Sequence, residues 1–240
     1  MRAMVAVLTA ALLGGLAMAG APSVKRTPAK RAGPTPGPAD WSRAARVTPS
    51  GTIMVGNPAA KVKIVEYLSF TCPHCAAFSK ESASTLKAQM IRSGSTSLEY
   101  RPLTSNPLDL AASIIARCAG PARYVATAEA IFARQEEWVG LGFNFLNREL
   151  RRFEGEKPIE QVRITAQSIG LNDIAKSQGL NDAQIKACFA DPQIVNPILK
   201  TGEAASKIIQ YTPSFYVGGR DVKVHDWPSL EPIIRAQGAK

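Results

Sequence analysis

From residue 62 to 68 the chain alternates. Val62, Ile64, Glu66 and Leu68 fall on one face, and Lys63, Val65 and Tyr67 on the other. A period of two predicts a β-strand. Beyond it, Cys75, Phe78, Ser82 and Leu86 recur at helical offsets and predict a helix over residues 73–92. Residues 97–103 read as a second strand. From residue 107 to about 207 the period is helical nearly throughout. Leu108, Ala111, Ala112, Ile115 and Cys118 form one apolar stripe, and Ile185, Cys188 and Phe189 sit at i, i+3, i+4 on another segment. After Tyr211-Thr212-Pro213, residues 214–217 and 221–224 flank Gly218-Gly219, a β-hairpin signal. Residues 229–237 close the chain as a short helix. Strand, helix, strand, a long helical block, hairpin and helix predict an α/β fold with a large helical insertion. Tyr124, Phe132, Trp138, Phe143 and Phe145 read as core or loop aromatics rather than a cofactor box, and His225 as a surface or loop residue.

The first fifty residues carry a different pattern. Met1-Arg2 is a short basic start, residues 3–24 hold no charge, and Ala17-Met18-Ala19 is a small-residue cleavage pattern. This predicts a secretory signal peptide over 1–21, with an uncleaved membrane anchor as the alternative. Residues 22–50 hold six prolines and scattered bases with no apolar period, and read as an extended, basic, Pro-rich linker. The expected organisation is therefore a signal peptide at 1–21, a linker at 22–50, an α/β domain at 51–106 and 209–240, and a helical insertion at 107–208.

Composition changes this picture in one respect. The formal net charge of +10 divides into +6 over residues 1–50 (seven bases, one acid) and +4 over the other 190 (22 bases, 18 acids). The globular part is only mildly basic and shows no clustered Lys/Arg run, so no nucleic-acid partner is expected. After signal removal the protein is expected to be soluble, in the periplasm. Outside the cytosol four cysteines suggest two pairs.

Candidate chemistry centres on Phe70-Thr71-Cys72-Pro73-His74-Cys75, where a strand ends and a helix begins. Proline suits the first helical position, which makes Cys72 the N-cap. Its sulfur then faces free backbone N–H groups and the positive end of the helix dipole. A protonated His74 adds further positive charge. Cys72 is expected to be acidic, and Cys75, one turn inside, buried and ordinary. A stabilised thiolate leaves readily and holds a disulfide poorly, so the Cys72–Cys75 bond is expected to oxidise other thiols. A zinc knuckle needs two more ligands at knuckle spacing, and Cys118, Cys188 and His225 do not supply them. Covalent haem needs His after the second Cys, where Ala76 stands. An inert disulfide stays as the alternative. Glu66, on an apolar strand face six residues before Cys72, is a candidate proton acceptor for Cys75; the alternative is a strand-edge glutamate paired with Lys61 or Lys63. Cys118 and Cys188 lie on two apolar helix faces. A bridge between them would be structural, worth roughly 4 kcal/mol in the chain-entropy picture.

Residues 66–75, Glu-Tyr-Leu-Ser-Phe-Thr-Cys-Pro-His-Cys, resemble the active-site strand and helix of DsbA-like thioredoxin-fold proteins. Residues 211–219, Tyr-Thr-Pro-Ser-Phe-Tyr-Val-Gly-Gly, resemble their cis-proline loop and hairpin, and the helical block resembles their insertion. The resemblance covers roughly 52–240. It implies a thioredoxin-like fold with a large α-helical insertion. It implies that Pro213 is cis beside the disulfide and that the Thr212 backbone pairs with an extended substrate. It also implies an exported thiol–disulfide oxidoreductase, without bound cofactor or metal, that introduces disulfides into reduced, unfolded exported proteins. A membrane quinone-linked DsbB-type protein would re-oxidise it. Thr212 is shared with disulfide isomerases, so an isomerase or reductase is the alternative. A holdase or copper-sequestering module using the same cysteines is a third reading.

Overall fold

The computed structural model describes residues 40–240, so the expected signal peptide and linker residues up to 39 lie outside the described residues. One mixed sheet is formed by β1 (Ala45–Val47), β2 (Ile53–Gly56), β3 (Val62–Leu68), β4 (Thr96–Pro102), β5 (Ser214–Val217) and β6 (Arg220–Asp221). Their order is β1-β2-β4-β3-β5-β6. β3 runs parallel to β4 and antiparallel to β5. It is therefore a central strand, and its alternation has a physical meaning. Val62, Ile64, Glu66 and Leu68 are all buried, while Lys63 on the other face is exposed.

α1 (Pro73–Ser82) leaves the end of β3 and continues as a π-helical stretch (Ala83–Ile91) before β4. The helix expected over 73–92 is thus present but widens to π-helical spacing after Ser82. Leu86, Met90 and Ile91 remain buried in the wider part. Between β4 and β5 lie α2 (Pro107–Cys118), α3 (Pro121–Ala133), α4 (Gln135–Arg148), α5 (Pro158–Ser168), α6 (Leu171–Ser177), α7 (Asp182–Ala190) and α8 (Pro192–Ser206); α9 (Trp227–Ala236) closes the chain. Proline opens α1, α2, α3, α5 and α8. Much of the chain's proline therefore starts helices, where its missing N–H costs nothing. Asn106 caps α2 by accepting from the Asp109 N–H at 2.9 Å, the kind of cap worth about 1 kcal/mol.

The core lies between the sheet and the helices and includes Phe70, Phe78, Leu86, Leu98, Ile115 and Phe215. Each such side chain contributes about 1.5–3 kcal/mol by leaving water. Tyr124, Phe132 and Trp138 join it, whereas Phe143 is exposed. A smaller apolar cluster of Tyr67, Leu103, Ala205 and Ile209 forms separately. Cys118 of α2 and Cys188 of α7 are joined by a disulfide.

Two features depart from the sequence expectation. The linker does not extend to residue 50: Trp41–Arg43 form a 3-10 turn and Ala45–Val47 pair with β2. Three residues are too few to show a period, and their strand form comes from the neighbour they bond to. Trp41 packs against Gly94 so closely that a Cβ there would lie 2.6 Å from the indole. The hairpin is also shorter, since β6 holds only Arg220 and Asp221.

Candidate active site

Cys72 ends the turn after β3 with extended backbone (φ −82°, ψ 121°) and caps α1, with Pro73 in its first turn. Both Cys72 and Cys75 are thiols in this structure. Cys72 is partly exposed and Cys75 fully buried. As a thiol, Cys72 Sγ donates to the Thr212 carbonyl at 3.1 Å. Its pKa is lowered to about 5, first by hydrogen bonding from the Cys75 thiol; the Thr212 side chain and the backbone N–H groups of Cys75 and His74 add to this, against the opposing effect of burial. The His74 side chain is exposed, so what reaches the sulfur from this residue is its backbone N–H. Cys75 is pushed the other way, well above the ordinary thiol, by burial and then by Cys72 and Glu66. Its sulfur accepts from the Ser69 N–H at 3.5 Å.

Glu66 is 2% exposed. Burial raises its carboxyl to about 8, with Lys87 acting against that. It sits on a central strand between Tyr100 of β4 and Phe215 of β5, so the alternative of a strand-edge glutamate paired with Lys61 or Lys63 does not hold. A small cavity joins it to Phe78, Lys87, Tyr100 and Glu129, and Lys87 is ion-paired with Glu129.

The Thr212–Pro213 peptide is cis, and this loop faces the dithiol through the contact from Cys72 to Thr212. Among the described residues no cluster of three or more His, Cys, Asp or Glu is placed to hold a metal. No helix among them is long and apolar enough to cross a membrane.

Three residues that support the site were not singled out from the sequence for that role. Asp109, fully buried in the first turn of α2, accepts from Ser69 Oγ at 2.8 Å and from the Thr71 N–H and Oγ1 at 3.0 Å each. Burial raises its carboxyl and these donors work against the rise. Gln135 Nε2 donates to the carbonyls of Phe70 (2.8 Å) and Cys72 (2.9 Å). His225, exposed in the loop after β6 as a surface residue should be, also donates from Nδ1 to the Pro213 carbonyl at 2.8 Å, and its ring lies 5.7 Å from that of Tyr211. An acid three residues after a capping Asn was a readable hint for Asp109. Nothing local marks Gln135 or His225.

An N-capping thiol beside a buried partner, at the end of a central strand and faced by a cis-proline loop, defines a thioredoxin-fold dithiol protein with a helical insertion. The family model described as Thioredoxin matches residues 48–236, and the chain belongs to that family. A Rickettsia bellii protein provisionally named a protein-disulfide oxidoreductase is 28% identical over 185 residues, covering 76% of this chain and 62% of the relative. A Rickettsia conorii protein of similar name is 27% identical, covering 70% and 53%. The chain thus spans between half and two thirds of the length of these curated relatives. The crystal structure of a protein-disulfide isomerase from Novosphingobium aromaticivorans matches with TM-score 0.66 and 28% identity over 77% of this chain and 95% of that one. Wolbachia pipientis alpha-DsbA1 matches with TM-score 0.57 and 18% identity over 82% and 94%. The fold is the DsbA-like form of the thioredoxin fold.

Proposed function

We propose that the protein is an exported thiol–disulfide oxidoreductase that introduces disulfides into reduced, newly exported proteins. The observation that carries this is the opposed acidity of the two thiols: Cys72 is held toward thiolate at about 5, while Cys75 is driven well above the ordinary thiol. The sulfur that is exposed is also the stable leaving group, so the Cys72–Cys75 disulfide is easily reduced.

In the oxidised protein a client thiolate attacks Cys72 Sγ. The Cys72–Cys75 bond breaks, and its electron pair leaves on Cys75. Glu66, protonated at neutral pH because its carboxyl titrates near 8, supplies the proton that Cys75 takes up. A second client thiolate then attacks the client sulfur of the mixed disulfide and releases Cys72 as thiolate. The client gains one disulfide and the protein holds two thiols. The Thr212 backbone at the cis-proline loop pairs with the extended client. Pro73 and His74 set the helix start that activates Cys72. No bound cofactor takes part. A quinone-linked membrane protein of DsbB type returns the dithiol to the disulfide, in the periplasm.

The test is oxidative refolding of a reduced client against reshuffling of a scrambled one, together with equilibration against glutathione. The oxidised protein is expected to accelerate the first far more than the second, and Cys72→Ser to do neither. A Cys72→Ser protein as active as the parent would overturn the proposal. A second reading, isomerase, is favoured by the 28% identity to a structure titled protein-disulfide isomerase; faster reshuffling by the reduced protein than oxidation by the oxidised one would select it.

A further inference from the structure

The chain between β1 and β2 and the helix α8 enclose a cleft of about 750 Å³. Neither cysteine of the dithiol nor the cis-proline loop lines it. Three cations do, Arg101, Arg117 and Lys200, and no carboxylate. Arg101 is fixed in place by both carboxylate oxygens of Glu99 (2.8 and 3.2 Å) and by the Tyr67 hydroxyl at 2.9 Å, so its charge is already balanced. Arg117 and Lys200 enter no ion pair among the described residues.

Arg117 is the unusual member. It rises from α2, and its Nε is buried without a hydrogen-bond partner. A small chamber that shares Gly51, Thr52 and Pro197 with the cleft lies against it. Ser113 and Tyr100 border that chamber, and their hydroxyls are likewise buried and unpartnered. Three residues with buried, unpartnered polar atoms thus border this chamber, and one of them, Arg117, also lines the cleft. Arg117 is half-buried; its Nε has left water without gaining a partner, which is unfavourable, and burial lowers its pKa. Close packing maintains the shape of the site: a Cβ on Gly51 (φ +83°) would lie 2.3 Å from Pro197 Cβ, so the chain tip rests directly on α8.

The rest of the lining states what kind of molecule carries the anion. Pro49, Pro192 and Tyr67 offer flat apolar contact, and Ser50, Gln193 and Asn196 offer hydrogen bonds of both senses. A planar guanidinium fork matches a carboxylate in a two-bond pairing. Apolar plates alternating with amide and hydroxyl groups suit an extended peptide. We propose that this cleft binds an acidic peptide segment, its carboxylate held by Arg117 and flanked by Lys200. The site uses no thiol chemistry and stands apart from the redox proposal.

Fluorescence anisotropy on the full chain tests it with dye-labelled Ala-Pro-Glu-Pro-Ala amide. Saturable binding is expected that weakens with salt and is unchanged in Cys72→Ser. The same peptide with glutamine for glutamate, and the Arg117→Met and Lys200→Glu proteins with the original peptide, are expected to bind about tenfold or more weakly. Lys200 is exposed on α8, so its substitution leaves the fold intact even if Arg117→Met does not. Absence of saturable binding, equal affinity for the two peptides, or unchanged affinity in Lys200→Glu would overturn the proposal. Displacement by inorganic phosphate at concentrations where acetate fails would also overturn it, assigning a phosphate site instead.

Discussion

Replacing Cys72 by serine in the reduced protein removes a thiolate, and with it a share of stability that depends on pH. In the folded chain the Cys72 thiol titrates near 5, against an ordinary 9.0. A depressed pKa contributes fully above the unfolded value and is lost as pH falls through the folded one. The window therefore runs from 9 down to 5. Neutral pH lies two units above the folded value, and at about 1.4 kcal/mol per unit this sets a ceiling of about 2.7 kcal/mol. Cys72 is partly open to solvent, which screens the interaction, so about 1–2 kcal/mol is expected at pH 7 and almost none at pH 4. Glu66 works in the opposite sense. Its carboxyl is raised to about 8 by burial, so it costs stability as pH rises from the ordinary carboxylate range. Both proteins carry Glu66, and the difference between them cancels its effect. Urea unfolding of reduced parent and Cys72→Ser, each at pH 4 and pH 7, gives the difference directly. Thiolate absorbance at 240 nm gives the pKa without reference to folding. A stability difference that stays flat between the two pH values would refute the account of how Cys72 is activated.

Glu66→Gln is expected to slow thiol exchange by about tenfold or more through loss of the proton donor, and to remove the stability loss between pH 4.5 and 8; stopped-flow exchange rates equal to the parent's would take Glu66 out of the mechanism. Cys118→Ala with Cys188→Ala opens a bridge spanning 70 residues and is expected to cost about 4 kcal/mol, read by urea unfolding. The 240 nm titration of Cys72 should stay unchanged in that protein; a moved titration would tie the bridge to the redox site. His225→Phe retains an aromatic ring beside Tyr211 but deletes the hydrogen bond to Pro213. Loss of one such bond is worth about 0.5–1.5 kcal/mol, so kcat/KM for a peptide thiol should fall about three- to tenfold with little change in Tm. A fall in Tm without a change in kcat/KM would make His225 a structural residue only.

Several features were legible along the chain because they are decided within a few residues. The alternation at 62–68 sets which face of β3 is buried, since successive side chains point to opposite sides. Pro73 after Cys72 places a thiol at a helix start, because proline fits only where no N–H is needed. The helical periods from 107 onward and the Gly218-Gly219 turn follow the same local logic. These local rules located Cys72 and Cys75 and placed Glu66 on the buried face; the role of Pro213 was implied only by the family resemblance of residues 211–219.

What surrounds those groups came from packing between distant segments. Gln135 reaches the Cys72 carbonyl across 63 residues of chain, and Asp109 reaches Thr71 across 38. β1 exists because β2 lies beside it, since three residues carry no period of their own. The unpartnered Nε of Arg117 borders a chamber walled by Pro197 and Ile198 of α8, a segment 80 residues away in sequence. Local spacing determines how a segment bends and which face it buries. Only the folded arrangement determines which polar groups meet, because the desolvation that forces them to find partners is created by segments remote in sequence.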